Sequence, residues 1–128
     1  MFGFATSVRG RVCECTPALF AQAVDNPQTA RICAAIADAC ERVKRGEMSR
    51  EDFETYKGEQ KKRLAVFTPH ATFEGGARKI VNAVPSGLSM YDVDHIADPR
   101  SYYESKVAGR VEELGIVLAH VTPSTEGL

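Results

Sequence analysis

The chain has 128 residues, of which 44% are hydrophobic and 26% are charged, and its formal net charge is −1. This length fits one domain with a single core, and the composition is that of an ordinary globular protein. The near-zero charge excludes a global basic field, so any role with nucleic acid would need a local patch. No apolar run reaches the roughly 18 residues of a membrane span, and no signal-peptide pattern opens the chain. We therefore expect a cytoplasmic protein with no membrane partner.

The first third of the chain predicts one strand and one long helix. Residues 4–15 alternate loosely between apolar and polar side chains, as a strand does. Residues 25–27, Asp-Asn-Pro, form a helix start in which a capping side chain is followed by proline. Apolar side chains then recur at helical spacing as far as Gly46, where the helix is expected to end. They include Cys33 and Cys40, which we expect to be buried as small apolar residues.

A second helix is predicted to start at Ser49, a capping residue with Asp52 three positions later. Phe53 and Leu64 keep roughly to one face of this helix, and its exposed side is rich in cations. These cations would form either a solvated helix end, where positive charge interacts favourably with the helix dipole, or a patch that faces phosphate groups. They are Lys57, Lys61, Lys62 and Arg63.

The middle of the chain combines a short apolar segment with a glycine-rich loop. Residues 64–73 predict a strand and a turn. Residues 74–79 predict a loop in which two adjacent glycines permit a tight turn or a close backbone approach. Because Arg78 and Lys79 follow these glycines, the loop would also be able to cradle a phosphate group.

The last third of the chain predicts a strand, a helix and a second strand. Residues 88–96 form a short apolar strand, and a helix begins at residues 98–99, Asp-Pro, and ends at Gly115. Residues 116–121 are mostly apolar and predict a central strand. This β-α-β unit favours an α+β fold with α/β-like character, in which a small mixed sheet and about three helices make one domain over residues 1–128.

Asp92 and Asp94 are the strongest candidates for metal-binding or catalytic residues. Alternate residues of a strand project from the same face, so these two carboxylates would lie side by side and repel each other. A divalent cation with oxygen ligands removes the repulsion, and paired carboxylates hold Mg²⁺ in phosphoryl and nucleotidyl transfer. The alternative is a solvated strand face, although aspartate is depleted in strands. His95 would point to the opposite face as a structural residue, and Asp98 would cap the next helix.

Three stretches of the chain resemble the N-terminal domain of virulence-associated-E-like proteins. These proteins are encoded by mobile elements and are distant relatives of the archaeo-eukaryotic primase-polymerase superfamily. Residues 86–94 read S-G-L-S-M-Y-D-V-D and are similar to the family's S-G-L-x-x-x-D-x-D segment. Residues 56–73 are similar to its lysine-rich stretch, which continues through a leucine and a proline to a phenylalanine, here Phe73, with Ala65 in place of the proline. Residues 122–128 are similar to its S-P-S-G-x-G-L segment, with Thr125 in place of the first glycine.

The resemblance implies a primase-polymerase-like nucleotidyltransferase that acts in the replication of a mobile element. Asp92 and Asp94 would form its first catalytic motif and would bind Mg²⁺ or Mn²⁺. Ser124 and Gly127 would belong to its second motif, which contacts nucleotide phosphates. Positive charge toward nucleotides and single-stranded DNA would come from Lys62, Arg63 and Arg78, together with Lys61 and Lys79.

The family's second motif is completed by a basic residue, and its third motif is another aspartate, and both would follow Leu128. The sequence is therefore expected to be a fragment of a larger primase- or helicase-type protein, with a downstream helicase domain. We expect the fragment alone to lack polymerase activity, and whether the full-length protein is an active enzyme stays open. Two other functions also stay open: an inactive module that binds nucleic acid or a partner, and a small regulatory domain with no nucleic-acid role.

Overall fold

The computed structural model describes residues 2–124 and 126–128 and has an α+β architecture, as predicted. Thr125, which stands where the similar family segment has a glycine, lies outside the described residues. The helices of the described chain are α1 (Pro17–Val24), α2 (Pro27–Lys44), α3 (Arg50–Lys61), α4 (Pro99–Tyr102) and α5 (Val111–Leu114). Its strands are β1 (Gly3–Ala5), β2 (Cys13–Glu14), β3 (Val66–Thr68), β4 (Ala71–Phe73) and β5 (Ala83–Pro85).

The three long helices each begin at a polar capping side chain. The Asn26 amide oxygen accepts a hydrogen bond from the Gln28 N–H at 2.8 Å at the start of α2. The Ser49 hydroxyl accepts one from the Asp52 N–H at 3.0 Å at the start of α3. Both predicted starts are confirmed. Sequence analysis does not predict α1, although Thr16 followed by proline is the same kind of signal.

The strands form two small antiparallel sheets, of order β2-β1-β3 and β4-β5. In the first sheet Gly3 of β1 lies opposite Thr68 of β3. The prediction of a single strand over residues 4–15 is wrong, because the chain turns between β1 and β2, where the Gly10 N–H donates to the Ser7 carbonyl at 3.0 Å. The predicted mixed sheet is also wrong, since every strand pairing in the described part of the chain is antiparallel.

The predicted β-α-β unit does not form. Residues 116–121 belong to no strand, and Val117 is 80% exposed. Within residues 88–96 the ladder is reduced to an isolated antiparallel bridge between Asp94 and Gly127. Apolar composition predicts burial, whereas a strand also requires a partner for its backbone N–H and carbonyl groups. That partner comes here from the end of the described chain and not from residues 116–121.

The hydrophobic core lies between α2 and α3. Ile36 and Cys40 of α2 and Phe53 of α3 are fully buried and pack in one cluster. Burial raises the pKa of the Cys40 thiol, as expected for a small apolar core residue, while Cys33 is half-buried. A second cluster consists of four aromatic rings with neighbouring centroids 5.2 to 6.2 Å apart: Phe2, Phe4, Phe20 and Phe67.

The third predicted helix is present in irregular form. Asp98 caps its first turn and accepts a hydrogen bond from the Ser101 N–H at 3.1 Å. Between α4 and α5, Tyr103–Val107 form a π turn and Ala108–Arg110 a 3-10 turn. Gly115 ends the segment in the left-handed conformation with a φ of 63°, as predicted.

In the described part of the chain, no helix combines the length and the apolar character needed to cross a membrane.

The core assignment predicts a contrast between two isoleucines. Ile36→Ala should lower the free energy of unfolding by about 2–5 kcal/mol, because it leaves a cavity in the core. Ile80→Ala removes the same atoms from a side chain that is 92% exposed, and should change it by less than about 0.5 kcal/mol. Urea denaturation measures both values, and equal losses would show that the core lies elsewhere.

Candidate functional site

A charged cavity of about 300 Å³ lies between α3 and two segments, one at residues 92–95 and one that includes residues 122–124 and 126. Its lining side chains in the described chain are all polar or charged. From α3 they are Arg50, Glu54, Lys57 and Lys61. From the two facing segments they are Asp92, Asp94, His95, Thr122, Ser124 and Glu126.

The α3 side of the cavity is a stripe of three cations and one carboxylate that we call the α3 stripe: Arg50, Glu54, Lys57 and Lys61. These residues follow one another at spacings of four, three and four, so helix geometry puts them on one face. The Lys57 ammonium lies 2.5 Å from a Glu54 carboxylate oxygen and 5.1 Å from the centroid of the Phe53 ring. The Arg50 guanidinium lies 5.2 Å from the same centroid. The buried Phe53 ring therefore holds two cations of the stripe through cation–π contacts.

The opposite side carries the predicted aspartate pair. Asp92 and Asp94 both line the charged cavity, in agreement with the alternation of an extended chain. Between them, the Val93 N–H donates to the Leu128 carbonyl at 3.1 Å, and the Leu128 N–H donates back to the Val93 carbonyl at 3.0 Å. The bridge between Asp94 and Gly127 continues this pairing. The chain end therefore fixes the backbone from which the two carboxylates project.

The prediction that His95 points away from the aspartates is wrong, because His95 lines the same cavity. Its φ of 58° lies in the left-handed region, which a residue other than glycine adopts uncommonly. This conformation interrupts the strand alternation directly after Asp94. As a result, an imidazole joins the two carboxylates at the cavity wall.

The two residues of the predicted second motif have different positions. Ser124 is buried and lines the charged cavity, with its hydroxyl oxygen 3.2 Å from that of Thr122. Gly127 is buried next to the Asp94 backbone and is not among the lining residues. A Cβ atom at Gly127 would lie 2.9 Å from the Val93 carbonyl oxygen. The structure therefore gives Gly127 a packing role in the pairing that supports the aspartates.

Of the cations predicted to offer positive charge to nucleotides, Lys61 lines the charged cavity, whereas Lys62, Arg63 and Arg78 lie outside it. Lys62 is exposed and pairs with Glu59 at 2.5 Å, and Arg63 donates a hydrogen bond to the Gln60 side chain at 2.9 Å. Each helical residue is rotated by about 100° from the previous one, so Lys62 leaves the face that Lys61 occupies. Arg78 is exposed and follows the turn at residues 74–76.

Sequence analysis missed Arg50 and Glu54 as cavity residues, and it grouped Lys57 and Lys61 with Lys62 and Arg63 without distinguishing them. The signal that finds them is the periodicity of the α3 stripe, which separates residues on one helix face from residues that are merely adjacent in sequence. A count of positive charges near the helix end does not make this distinction.

Arg50 and Glu126 join the two sides of the cavity. The Arg50 guanidinium donates to both carboxylate oxygens of Glu126, at 3.0 and 2.9 Å, across a separation of 76 residues in the chain. These hydrogen bonds hold the pKa of the Glu126 carboxyl below its usual value, and nearby Cys40 and Lys57 act in the same direction. Because the Glu126 carbonyl also accepts from the Ile96 N–H at 2.9 Å, the pair fixes the aspartate segment relative to α3.

The donor set of the cavity suits a hard cation that is only partly bound by protein. In the described chain no three histidine, cysteine or carboxylate side chains are arranged to hold a metal ion. Glu54 and Glu126 are engaged by cations of the α3 stripe, which leaves Asp92 and Asp94 as the carboxylates that would bind one. Mg²⁺ is commonly bound by one or two carboxylates and completes its shell with water and phosphate oxygens, so two aspartates fit it.

A family model described as the BT4734-like N-terminal domain matches residues 59–128, which is more than half of the chain. The chain belongs to this family. The matched range contains Asp92, Asp94, Ser124 and Lys61 of the charged cavity. No match was found among curated proteins or among solved structures.

The Arg50–Glu126 pair predicts a pH dependence for this BT4734-like domain. Since the pKa of Glu126 is lowered in the folded protein, the pair stabilises the fold above about pH 4.3, the ordinary glutamate pKa, and this stabilisation is lost as the pH falls through the lowered value. Unfolding free energies from urea titrations between pH 7 and pH 3 should therefore fall less steeply in Glu126→Gln than in wild type. Glu59→Gln, which removes an exposed ion pair, should keep the wild-type slope.

The packing role of Gly127 predicts that this BT4734-like domain does not tolerate a larger residue there. Gly127→Ala places a methyl group against the Val93 carbonyl and the Thr122 side chain, and should lower the free energy of unfolding by about 1–3 kcal/mol. Gly58→Ala is the matched control, because a Cβ atom there meets nothing within 4 Å. It should raise the free energy of unfolding by about 0.5–1 kcal/mol, since alanine stabilises a helix relative to glycine. Thermal or urea unfolding measures both, and a stabilising Gly127→Ala would contradict the close backbone approach.

Proposed function

We propose that this BT4734-like domain is related to virulence-associated-E-like proteins and acts as a primase-polymerase-like nucleotidyltransferase domain. Its setting would be the cytoplasmic replication of a mobile element, where it would use nucleotides and single-stranded DNA next to a downstream helicase domain. The family match supports the assignment of residues 59–128 to one domain family. The activity itself is proposed from the chemistry of the charged cavity.

The observation that carries the proposal is the convergence of three predicted residues on one cavity. Asp92, Asp94 and Ser124 come from segments about 30 residues apart, and all three line the same space. Carboxylates, a hydroxyl and cations around a polar cavity are the groups that nucleotidyl transfer needs, since it requires a metal ligand set and positive charge toward phosphates.

The residues would bind the metal, bind a phosphate group and position the metal ligands. Asp92 and Asp94 would hold Mg²⁺ or Mn²⁺, which when bound neutralises phosphate charge and orients phosphoryl oxygens. The Ser124 hydroxyl would donate a hydrogen bond to a phosphate oxygen, since it is a neutral donor in a site that already contains several carboxylates. Arg50 and Glu126 would keep the aspartates at a fixed place relative to α3.

Metal binding by the aspartate pair tests the proposal. Isothermal titration with Mn²⁺ should give an affinity at least about tenfold weaker for the double variant Asp92→Asn/Asp94→Asn than for wild type, because a loss of this size is typical even of residues that only support metal ligands. Asp98→Asn is the matched control, since Asp98 caps α4 and does not line the cavity.

Equal Mn²⁺ affinities of the double variant and wild type would remove the metal role and with it the proposed chemistry. Retained binding of single-stranded DNA by a protein without any Mn²⁺ affinity would instead favour the inactive binding module. Both measurements use the same chain, so they can be made side by side.

A further inference from the structure

A second groove, separate from the charged cavity, lies between the start of the third predicted helix and the segment at residues 119–121. Its volume is about 540 Å³, which falls within the range of roughly 300 to 1,000 Å³ that sites for small organic ligands occupy. No side chain of its described lining belongs to the described lining of the charged cavity. We call it the Tyr103 groove, after the tyrosine in its wall.

The Tyr103 groove differs from the charged cavity because much of its wall is apolar. Three aliphatic side chains line it, Ala119, Val121 and Leu128, together with the ring of Tyr103. Tyr103 opens the π turn Tyr103–Val107, and such turns are frequently found at functional sites. Sites for small ligands combine apolar walls with a few polar groups that fix the orientation of the ligand. The groove therefore suits a ligand with an apolar body.

Two opposite charges in the Tyr103 groove do not pair with each other. Arg100 and Glu104 both line it and lie four positions apart, a spacing at which opposite charges on a helix commonly pair. Yet no ion pair formed within residues 2–124 and 126–128 includes either residue. Asp98, an acid near Arg100, already accepts hydrogen bonds from the N–H and the hydroxyl of Ser101, at 3.1 and 2.9 Å. Arg100 and Glu104 thus offer one positive and one negative group to a ligand.

His120 adds a hydrogen-bond acceptor to the Tyr103 groove. Its Nδ1 lies 3.2 Å from the Val121 carbonyl oxygen. Because a carbonyl oxygen only accepts hydrogen bonds, Nδ1 carries the proton, and Nε2 of the neutral ring is left as an acceptor. An ammonium group only donates hydrogen bonds, so Nε2 and the Glu104 carboxylate are both suited to bind one.

We infer that the Tyr103 groove binds a free α-amino acid with a large apolar side chain. Arg100 binds its carboxylate, Glu104 and His120 bind its ammonium group, and the aliphatic wall and the Tyr103 ring cover its side chain. An α-amino acid carries these three groups on one carbon atom, which matches the three kinds of group in the wall. The inference goes beyond the proposed function and does not depend on it, since the two sites share no described lining residue.

Titrations followed by two-dimensional amide NMR test the inference. L-phenylalanine should bind saturably with a dissociation constant below about 5 mM, and should shift the amide signals of Tyr103, His120 and Leu128. N-acetyl-L-phenylalanine lacks the ammonium group and L-phenylalaninamide lacks the carboxylate, so each should bind at least about threefold more weakly. Absence of saturation by L-phenylalanine up to about 20 mM would overturn the inference. So would an affinity for either blocked compound equal to that for L-phenylalanine, or shifts confined to the charged cavity.

Variants at the two charges assign the contacts. Arg100→Gln should bind L-phenylalanine at least about threefold more weakly than wild type, and should bind L-phenylalanine and L-phenylalaninamide equally, because the contact to the carboxylate is gone. Glu104→Gln should narrow the difference between L-phenylalanine and N-acetyl-L-phenylalanine. Arg110→Gln is the matched control and should keep the wild-type affinity, since Arg110 pairs with Glu113 and does not line the groove. Equal losses in Arg100→Gln and Arg110→Gln would show an effect of net charge alone and would reject the assignment.

Discussion

The bidentate pair between Arg50 and Glu126 is the interaction on which the charged cavity depends. Arg50 lies against the Phe53 ring at the edge of the core, and Glu126 lies in the chain end that pairs with the Asp94 segment. The two side chains therefore connect a well-packed helix to a segment that has few buried contacts of its own. Two parallel hydrogen bonds fix an angle as well as a distance, which a single contact does not. The separation between the α3 stripe and the aspartates follows from this geometry.

The helix ends and the shared face of the aspartates could be predicted because both depend on local geometry. Asn26, Ser49 and Asp98 each bond an N–H group two or three residues away, so residue type and spacing contain the information. Asp92 and Asp94 need only an extended backbone between them to project together.

Features that depend on distant partners could not be predicted in the same way. Residues 116–121 have the composition of a strand, yet Gly127 is the residue that pairs with Asp94. No spacing rule gives the left-handed backbone of His95, which brings its side chain to the cavity. The cations of α3 differ from these cases, because helical periodicity alone places Lys61 and Lys62 on different faces, whereas a count of positive charges does not.

The pairing of residues 93–96 with residues 126–128 has a consequence for motion. One side of the cavity is part of α3, which is anchored by the fully buried Phe53, whereas the other side is held by a few backbone hydrogen bonds and the Glu126 side chain near the surface. Segments held in this way open locally at a lower free-energy cost than global unfolding. The aspartate side would therefore detach and return while the helical core stays folded. A ligand that bonds to both sides would shift this equilibrium toward the closed form and so order the segment that binds it.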